Sequence, residues 1–391
     1  MAEAYIVEAV RTAGGRRNGK LAGWAAADLA AQAINALVDR TGVDPSAIED
    51  VIMGCVTQGG EQSTALGRYA VLASRLPQTV PAVTIDRQCG SSQQAIQFAA
   101  QAVMSGTQDI VLAAGVESMS RTPMYSNIHL YQKAGMSSAP WTQTVMDRFG
   151  VTDFNQFIGA QMIADKYGYD RETLDAYSLA SHQKAAAATK AGAFEAEIVG
   201  VEVTGADGAS ELHLKDEGIR YDASMAGLGS VKTLQEGGMI TAANASQMCD
   251  GASGVLVVNE AALKAHSLTP LARIHNLTVT AGDPVIMLEE PIEATRRALK
   301  RAGLLIEDID LYEVNEAFAP VPLAWLREIG GDPARLNVNG GAIALGHPLG
   351  ASGTKLMATL VHALKARGGR YGLQTMCEGG GVANVTIVER L

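Results

Sequence analysis

Ile48-Glu49-Asp50 precedes the apolar run from Val51 to Val56, and Ile306-Glu307-Asp308 precedes the run from Ile309 to Val314, 258 residues further along. Both runs are short and apolar, which is typical of buried strands. Around them, strand and amphipathic helix patterns alternate along the chain. This alternation predicts a parallel or mixed sheet with helices on its faces. A repeated motif within a repeated order of elements indicates an internal duplication.

The repeat divides the chain into two similar halves and a segment that belongs to neither. Residues 1–118 and 250–268 form the predicted N-terminal core domain, and residues 269–391 form the C-terminal one. Residues 119–249 begin with irregular sequence around Pro123, continue with two helices and end in polar, glycine-rich turns. We interpret this segment as an insertion over one face of the core. The predicted fold is α/β, with two duplicated mixed-sheet domains and an inserted α/β domain.

The composition is that of a globular protein and restricts its partners. The net charge of −10 argues against a nucleic-acid-binding protein, whose domains are usually basic. The longest apolar stretches, such as that from Ile110 to Val116, are too short to span a membrane. The N-terminus lacks the pattern of a secretory signal, so we expect a cytoplasmic protein without a membrane partner. The cysteines lie far apart, which excludes a metal knuckle and predicts free thiols and no metal. They are Cys55, Cys89, Cys249 and Cys377.

The stretch from Gln88 to Ala95 places a cysteine between a strand that ends at Ile85 and the helix that follows. At a helix N-terminus, the backbone N–H groups and the dipole stabilise a thiolate and lower its pKa. Cys89 is therefore a candidate nucleophile. The alternative is a buried cysteine at a tight turn.

The stretch from Asn339 to Gly353 is rich in glycine and contains one histidine, His347. Such glycine density indicates a backbone that approaches a ligand closely or adopts positive φ angles. His347 lies 258 residues after Cys89, the same offset as the repeated motif, so we expect the two loops to face one cleft. The alternative is a turn-rich loop whose histidine is satisfied by hydrogen bonds.

Two further stretches follow predicted strands. Cys377 is followed by Glu378 and three glycines, whose free backbone N–H groups could form an oxyanion hole. Asn315 could orient a water molecule and Phe318 could wall the cleft, while Glu316 could equally cap a helix. All four stretches lie at strand ends, where open α/β sheets bind ligands. Two thiols, an imidazole and glycine-rich loops together predict acyl transfer through a thioester.

These stretches resemble the thiolase family over essentially the whole chain. The resemblance is carried by Gln88-Cys89-Gly90-Ser91, Val338 to Gly353, Asn315-Glu-Ala-Phe318 and Cys377-Glu-Gly-Gly-Gly381. It implies two similar α/β domains and an inserted loop domain that holds coenzyme A. The implied activity is cleavage of a 3-ketoacyl-CoA to acetyl-CoA and a shortened acyl-CoA. Coenzyme A would be a co-substrate, with no cofactor bound permanently.

The resemblance also implies a role for each site residue. Cys89 would carry the acyl group, and His347 would activate it and help to bind the thioester oxygen. Cys377 would exchange protons with the acetyl-CoA enolate or the incoming thiol. Asn315 would hold the water of one oxyanion hole, while the backbone N–H groups of Cys89 and Gly379 would form the other.

For coenzyme A, the resemblance implies contacts by Arg220 at the nucleotide end and by Ala242 and Ser246 along the pantetheine, while Phe318 is a further candidate contact. Without the resemblance, Arg220 could equally be an ordinary surface charge. The family is usually dimeric or tetrameric, so we expect a homodimer or a homotetramer.

The inserted segment separates this chain from one branch of the family. Biosynthetic members carry a His-Met-Gly motif where this chain has the stretch from Asn155 to Gly159. The pattern is closer to degradative thiolases, including those that act on steroid side chains. Two alternatives stay open, namely an enzyme that condenses acetyl-CoA to acetoacetyl-CoA and a non-catalytic acyl-CoA-binding protein. Glu378 stands where many members have an apolar residue, and the sequence assigns it no role.

Overall fold

The computed structural model describes residues 3–136, 139–205 and 208–391. Its strands are β1 (Tyr5–Thr12), β2 (Gly15–Arg16), β3 (Asp50–Gly54), β4 (Ala82–Ile85), β5 (Ile110–Ser118), β6 (Ile198–Val199), β7 (Val201–Thr204), β8 (Ser210–His213), β9 (Cys249–Val258), β10 (Ala272–Ala281), β11 (Leu311–Val314), β12 (Tyr371–Glu378) and β13 (Val382–Arg390). Its α-helices are α1 (Ala26–Thr41), α2 (Leu66–Ala73), α3 (Ser91–Ser105), α4 (Ser126–Lys133), α5 (Gln143–Phe149), α6 (Gln156–Tyr167), α7 (Arg171–Lys190), α8 (Met225–Gly229), α9 (Glu260–Ala265), α10 (Pro291–Ala302), α11 (Pro320–Ile329), α12 (Ala342–Leu345) and α13 (Ser352–Arg367).

One mixed sheet runs through both halves of the chain. Its N-terminal part has the order β4-β3-β5-β9-β1, and its C-terminal part has the order β10-β13-β12-β11. The two parts meet where β1 pairs with β10 in antiparallel fashion, with Tyr5 opposite Arg273. The short strands β2 and β6 pair with β9 and β1, while β7 and β8 form a separate hairpin. The site loops of both halves are therefore carried by one continuous sheet.

Equivalent contacts in the two halves correct the register of the duplication. Glu49 accepts hydrogen bonds from the backbone N–H groups that open β5 at Ile110, and Asp310 accepts the same bonds at the start of β12, from Tyr371. Asp310 lies 261 residues after Glu49, and Tyr371 lies 261 after Ile110. The predicted offset of 258 was therefore three residues out. Ile306–Asp308 forms a 3₁₀ turn before β11.

Two strands differ from expectation. The predicted strand that ends at Ile85 is β4, but it lies at the edge of the sheet and Val83 is 45% exposed, so it is not a buried strand. The sequence did not predict β10, in which buried residues alternate with half-buried polar ones such as Asn276. This strand carries the contact between the two halves.

Helices α3 and α13, which follow the two site loops, pack against each other on one face of the sheet. Their contact is so close that a β-carbon added to Gly353 would lie 2.0 Å from the backbone nitrogen of Gln93. The apolar side chains beneath them, among them Ile96 and Leu360, form one continuous core cluster. This packing sets the distance between the loop before α3 and the loop before α13.

The segment between β5 and β9 is anchored by a buried arginine. Arg11 on β1 donates from Nε to Glu197 at 2.5 Å and from Nη1 to Asp216 at 2.8 Å, and all three side chains are buried. Around Pro123, where irregular sequence was expected, the structure contains the short helices α4 and α5. Within the described residues, no helix is long and apolar enough to cross a membrane.

Candidate active site

The loop before α3 presents Cys89 at the N-terminus of the helix, as predicted. Gln88 adopts a positive φ of 48°, a conformation that costs a non-glycine residue about 1 kcal/mol or more. Hydrogen bonds hold this turn: the Gln88 N–H donates to Asp86 Oδ1 at 2.7 Å, and the Arg87 N–H donates to Ser91 Oγ at 2.9 Å. The strained turn places Cys89 at the wall of a large cavity.

The pKa of Cys89 is raised, whereas the sequence predicted that it would be lowered. Burial, followed by the charge of Glu378, raises the pKa of the Cys89 thiol to about 12. Asp86 and Glu117 add smaller effects in the same direction. The helix N-terminus therefore does not by itself ionise this thiol, because loss of hydration outweighs the dipole. Forming the nucleophile requires a base that takes the proton.

The hydrogen bonds of His347 favour the tautomer in which Nε2 is free to accept a proton. The Ser352 hydroxyl donates its single proton to the Pro348 carbonyl at 2.9 Å and lies 2.5 Å from Nδ1 of His347. With that proton directed to Pro348, the short contact is satisfied by the tautomer in which Nδ1 carries the hydrogen and Nε2 keeps its lone pair. Burial lowers the pKa of His347 to about 3, so the ring is neutral. Nε2 lies 3.5 Å from Asn315 Nδ2.

Asn315 and Cys377 lie at the ends of the paired parallel strands β11 and β12. The Asn315 N–H donates to Thr375 at 3.0 Å, while its Oδ1 is buried without a partner in the described part of the chain. An unpartnered buried oxygen is suited to hold a water molecule. Cys377 is buried, and burial, with Cys89 as the next cause, raises its pKa well above the ordinary value.

Three of the predicted loops meet around one cavity of about 770 Å³. Its lining includes Cys89, Gly379 and Leu349, which lies two residues after His347. A β-carbon at Gly379 would lie 3.0 Å from the Gln88 side chain, so this glycine lets the end of β12 approach the nucleophile loop. Phe318 lies outside this lining and packs edge-on against Phe157 at 5.4 Å, so it does not wall the cleft as expected.

The sequence missed the far wall of this cavity. It is built from α4, α5 and the residues around them, and it is largely apolar and aromatic. The residues of this wall are Met124, Tyr125, Ile128, Tyr131, Trp141, Val145, Phe149 and Phe154. The available signal was the density of aromatic and methionine residues in a stretch that looked irregular. These side chains line the same cavity as Cys89.

A second, smaller cavity of about 180 Å³ contains two of the residues predicted to contact coenzyme A. Arg220 and Ala242 line it, whereas Ser246 does not. His182 lies beneath Arg220 and accepts its backbone N–H at 3.2 Å. Burial, and then the charge of Arg220, lowers the pKa of His182 to about 4, so this imidazole is neutral. The exposed guanidinium is the cationic group of this cavity.

The cysteines are free, and Cys55 and Cys249 are buried. Across residues 3–136, 139–205 and 208–391, no group of three or more histidine, cysteine, aspartate or glutamate side chains could hold a metal ion.

Comparison with known proteins identifies the family. The thiolase N-terminal domain matches residues 4–261, and the thiolase C-terminal domain matches residues 268–390. The steroid 3-ketoacyl-CoA thiolase FadA6 of Mycobacterium tuberculosis is 52% identical over 393 residues, which cover 100% of this chain and 95% of that protein. An acetyl-CoA acetyltransferase of Chromobacterium violaceum is 43% identical over 99% of this chain and 100% of its own length.

The human mitochondrial 3-ketoacyl-CoA thiolase has a similar crystal structure, with a TM-score of 0.89 at 36% identity, covering 100% of this chain and 99% of that one. This similarity confirms the predicted fold class. The resemblance that rested on the Cys89 and His347 motifs is confirmed as well, and the chain is an acyltransferase that belongs to the thiolase family.

Proposed function

We propose that this enzyme cleaves a 3-ketoacyl-CoA with coenzyme A through an acyl-Cys89 intermediate. The observation that carries the proposal is the neutral His347, whose Nε2 lies 3.5 Å from Asn315 and whose loop reaches, through Leu349, the cavity that Cys89 and Gly379 also line. A neutral imidazole can take the Cys89 proton, which burial otherwise retains.

The proposed first half-reaction begins when the Cys89 proton moves to His347 and the thiolate attacks the 3-keto carbon. The C2–C3 bond then breaks, and its electron pair goes to C2 to form the acetyl-CoA enolate. Cys377 protonates C2, while Asn315 with its water and the Gly379 N–H stabilise the thioester oxygens. Oxyanion donors of this kind contribute roughly 10²–10³ in rate each.

In the second half-reaction, the Cys377 thiolate takes the proton of a new coenzyme A. The coenzyme A sulfur attacks the acyl carbonyl and expels the Cys89 thiolate, which takes back the proton held by His347. Cys377 suits the role of proton carrier because its buried thiol binds its proton more tightly than an exposed cysteine does. The two thiols therefore have different roles, set by their surroundings.

For the substrate, we propose a bulky, ring-bearing acyl group. A cavity of about 770 Å³ with an apolar, aromatic wall is much larger than a two-carbon acetyl group requires. The name of the Mycobacterium tuberculosis relative, a steroid 3-ketoacyl-CoA thiolase, supports the same substrate class. The second candidate is condensation of acetyl-CoA, which the name of the Chromobacterium violaceum relative favours.

Coenzyme A would bind as a co-substrate between the predicted insertion, residues 119–249, and the C-terminal core. Arg220 supplies the cation that its phosphates need in a protein of net charge −10. Ala242 and Ser246 would lie along the pantetheine, and Phe318 would support them from the interior.

We further propose a cytoplasmic homo-oligomer that is built on the open edge of β4. Apolar side chains on β4 and on the two helices that contact it are exposed, namely Tyr69, Leu72, Val83 and Phe98. A second copy that pairs along this edge would bury them. Sedimentation analysis should therefore show a dimer or a tetramer.

The function is tested by mass spectrometry and by a thiolysis panel. A 3-ketoacyl-CoA should add its shortened acyl mass to the Cys89 peptide, and Cys89→Ala should abolish the adduct, whereas Cys55→Ala should retain it. Cleavage rates should rise from acetoacetyl-CoA toward ring-bearing substrates. An adduct that survives Cys89→Ala would refute the assignment, and a preference for acetoacetyl-CoA would favour the second candidate.

A further inference from the structure

Glu378 is a carboxylic acid buried between two residues of the active site, Cys377 and Gly379. Its side chain is 0% exposed. A β-carbon added to Gly90 would lie 2.0 Å from its Oε1 and 2.4 Å from its Cδ, so the carboxyl packs directly on the backbone beside Cys89. The end of β12 and the nucleophile loop therefore touch through this carboxyl.

The surroundings of this carboxyl favour its neutral form. In the amide orientation that satisfies both ends, Asn384 donates to Glu378 Oε1 at 3.0 Å and accepts from the Gln94 N–H at 3.3 Å. Oε2 of Glu378 is buried and has no hydrogen-bond partner among the described residues. A negative charge on such an oxygen costs far more than a neutral acid does.

The charged and titratable neighbours act in opposite directions. Burial raises the pKa of Glu378 to about 8, and the charge of Arg87 on the nucleophile loop and a backbone hydrogen bond from Asn384, which both lower it, offset this only in part. In turn, a charge on Glu378 raises the pKa of both thiols it faces, Cys89 on the loop and Cys377 on β12. At neutral pH Glu378 is an acid without charge, and it becomes an anion beside the nucleophile as the pH rises past about 8.

We propose that Glu378 is a positioning residue for the nucleophile. Its neutral carboxyl fills the space against Gly90 and places no negative charge beside the Cys89 thiolate. Ionisation of this carboxyl slows the enzyme at alkaline pH. The inference rests on the proposed function in taking Cys89 as the nucleophile. Asp86 and Glu117 also act on Cys89, but each does so more weakly than Glu378.

The first test is the rate at which iodoacetamide alkylates Cys89, followed by peptide mass spectrometry in the parent protein and in Glu378→Gln. The amide preserves the shape of the side chain and cannot ionise. Because only the thiolate reacts, rates below about pH 7 should agree within about twofold, and at about pH 9 the variant should react about tenfold faster. Superimposable profiles would overturn the proposal.

The matched control is Glu290→Gln. Burial also raises the pKa of Glu290, and a β-carbon at Gly282 would lie 2.1 Å from its Oε2, yet Glu290 lies outside the lining of the cavity. This variant should reproduce the parent profile. In thiolysis, Glu378→Gln should lose the alkaline decline of kcat/KM that centres near pH 8, whereas Glu378→Asp should retain a decline. A loss of activity that is equal at every pH would show a purely structural role and overturn the proposal.

The pH dependence of unfolding supplies a measurement that needs no substrate. Folding raises the pKa of Glu378 to about 8. The unfolded chain releases this proton in the ordinary carboxyl range, whereas the folded protein keeps it until about pH 8. The free energy of unfolding should therefore fall more steeply across that window in the parent than in Glu378→Gln. Equal slopes would contradict the neutral carboxyl. Because alkylation and unfolding need no turnover, a failure of thiolysis alone would refute the proposed function without refuting the effect of Glu378 on the Cys89 thiol.

Discussion

Replacing Ser352 by alanine should slow acylation of Cys89 by removing the group that sets the tautomer of His347. The serine oxygen lies 2.5 Å from Nδ1 and is the acceptor for the proton there. In Ser352→Ala, either that N–H stays buried without a partner or the proton moves to Nε2 and blocks the base. An unmade buried hydrogen bond costs about 1–3 kcal/mol, which corresponds to an acylation rate about 5- to 150-fold lower.

The assay is single-turnover acetylation by acetyl-CoA, followed by intact-protein mass spectrometry. The matched control is Ser253→Ala, which removes another buried hydroxyl, one that donates to Ala351 at 2.7 Å and lies 2.6 Å from the Thr354 hydroxyl. It should lower the melting temperature to a similar extent and change the acylation rate by less than about twofold, since it does not contact the imidazole. If Ser352→Ala acylates as fast as Ser253→Ala, the tautomer argument is refuted.

Three other substitutions test separate parts of the structure. Gly90→Ala should reduce single-turnover acylation at least about tenfold, because its β-carbon would meet Glu378, and adding Glu378→Ala should restore part of the rate. Arg220→Gln should raise the KM for coenzyme A about tenfold in steady-state assays and leave kcat within about twofold, because a charge-assisted contact with a phosphate is lost. An unchanged KM would show that the nucleotide binds elsewhere. Arg11→Met should lower the free energy of unfolding in urea by about 3–5 kcal/mol, because it leaves Asp216 and a second carboxylate buried and unpaired. A loss below about 1 kcal/mol would contradict that reasoning.

Local patterns predicted the longest helices and most strands of the large sheet, but not how the two halves join. One of the two helices expected in residues 119–249 is α7, whose first turn Asp170 caps by accepting the Thr173 N–H. By contrast, β10 has no continuous apolar run, and what holds it is pairing with β1 and β13, strands distant in sequence. Such pairing has no local signature, so the single continuous sheet could not be read from periodicity.

The motifs predicted which residues surround the candidate site but not their energetics. Cys89 and Gly379 follow the ends of β4 and β12, and the sheet brings their loops together. His347 was also expected just past a strand, but it follows the short helix α12. The acidity of Cys89 was predicted in the wrong direction, because a helix N-terminus is visible in sequence whereas depth of burial is not. Glu378 stood out only as an unusual residue, since its contact with Gly90 joins positions that lie far apart in the chain.

The corrected register explains why the duplicated core has one proposed nucleophile, Cys89. At an offset of 261 residues, α3 and α13 begin at equivalent serines, and the position of Cys89 corresponds to Gly350. A β-carbon at Gly350 would lie 2.6 Å from Cys55 Cα, and one at Gly115 would lie 2.2 Å from the Gly350 carbonyl oxygen. The second helix N-terminus is therefore packed against the N-terminal sheet and has no room for a side chain. The C-terminal half contributes instead from the preceding turn, where His347 has space for an imidazole, so packing between the halves assigns the thiol to one loop and the base to the other.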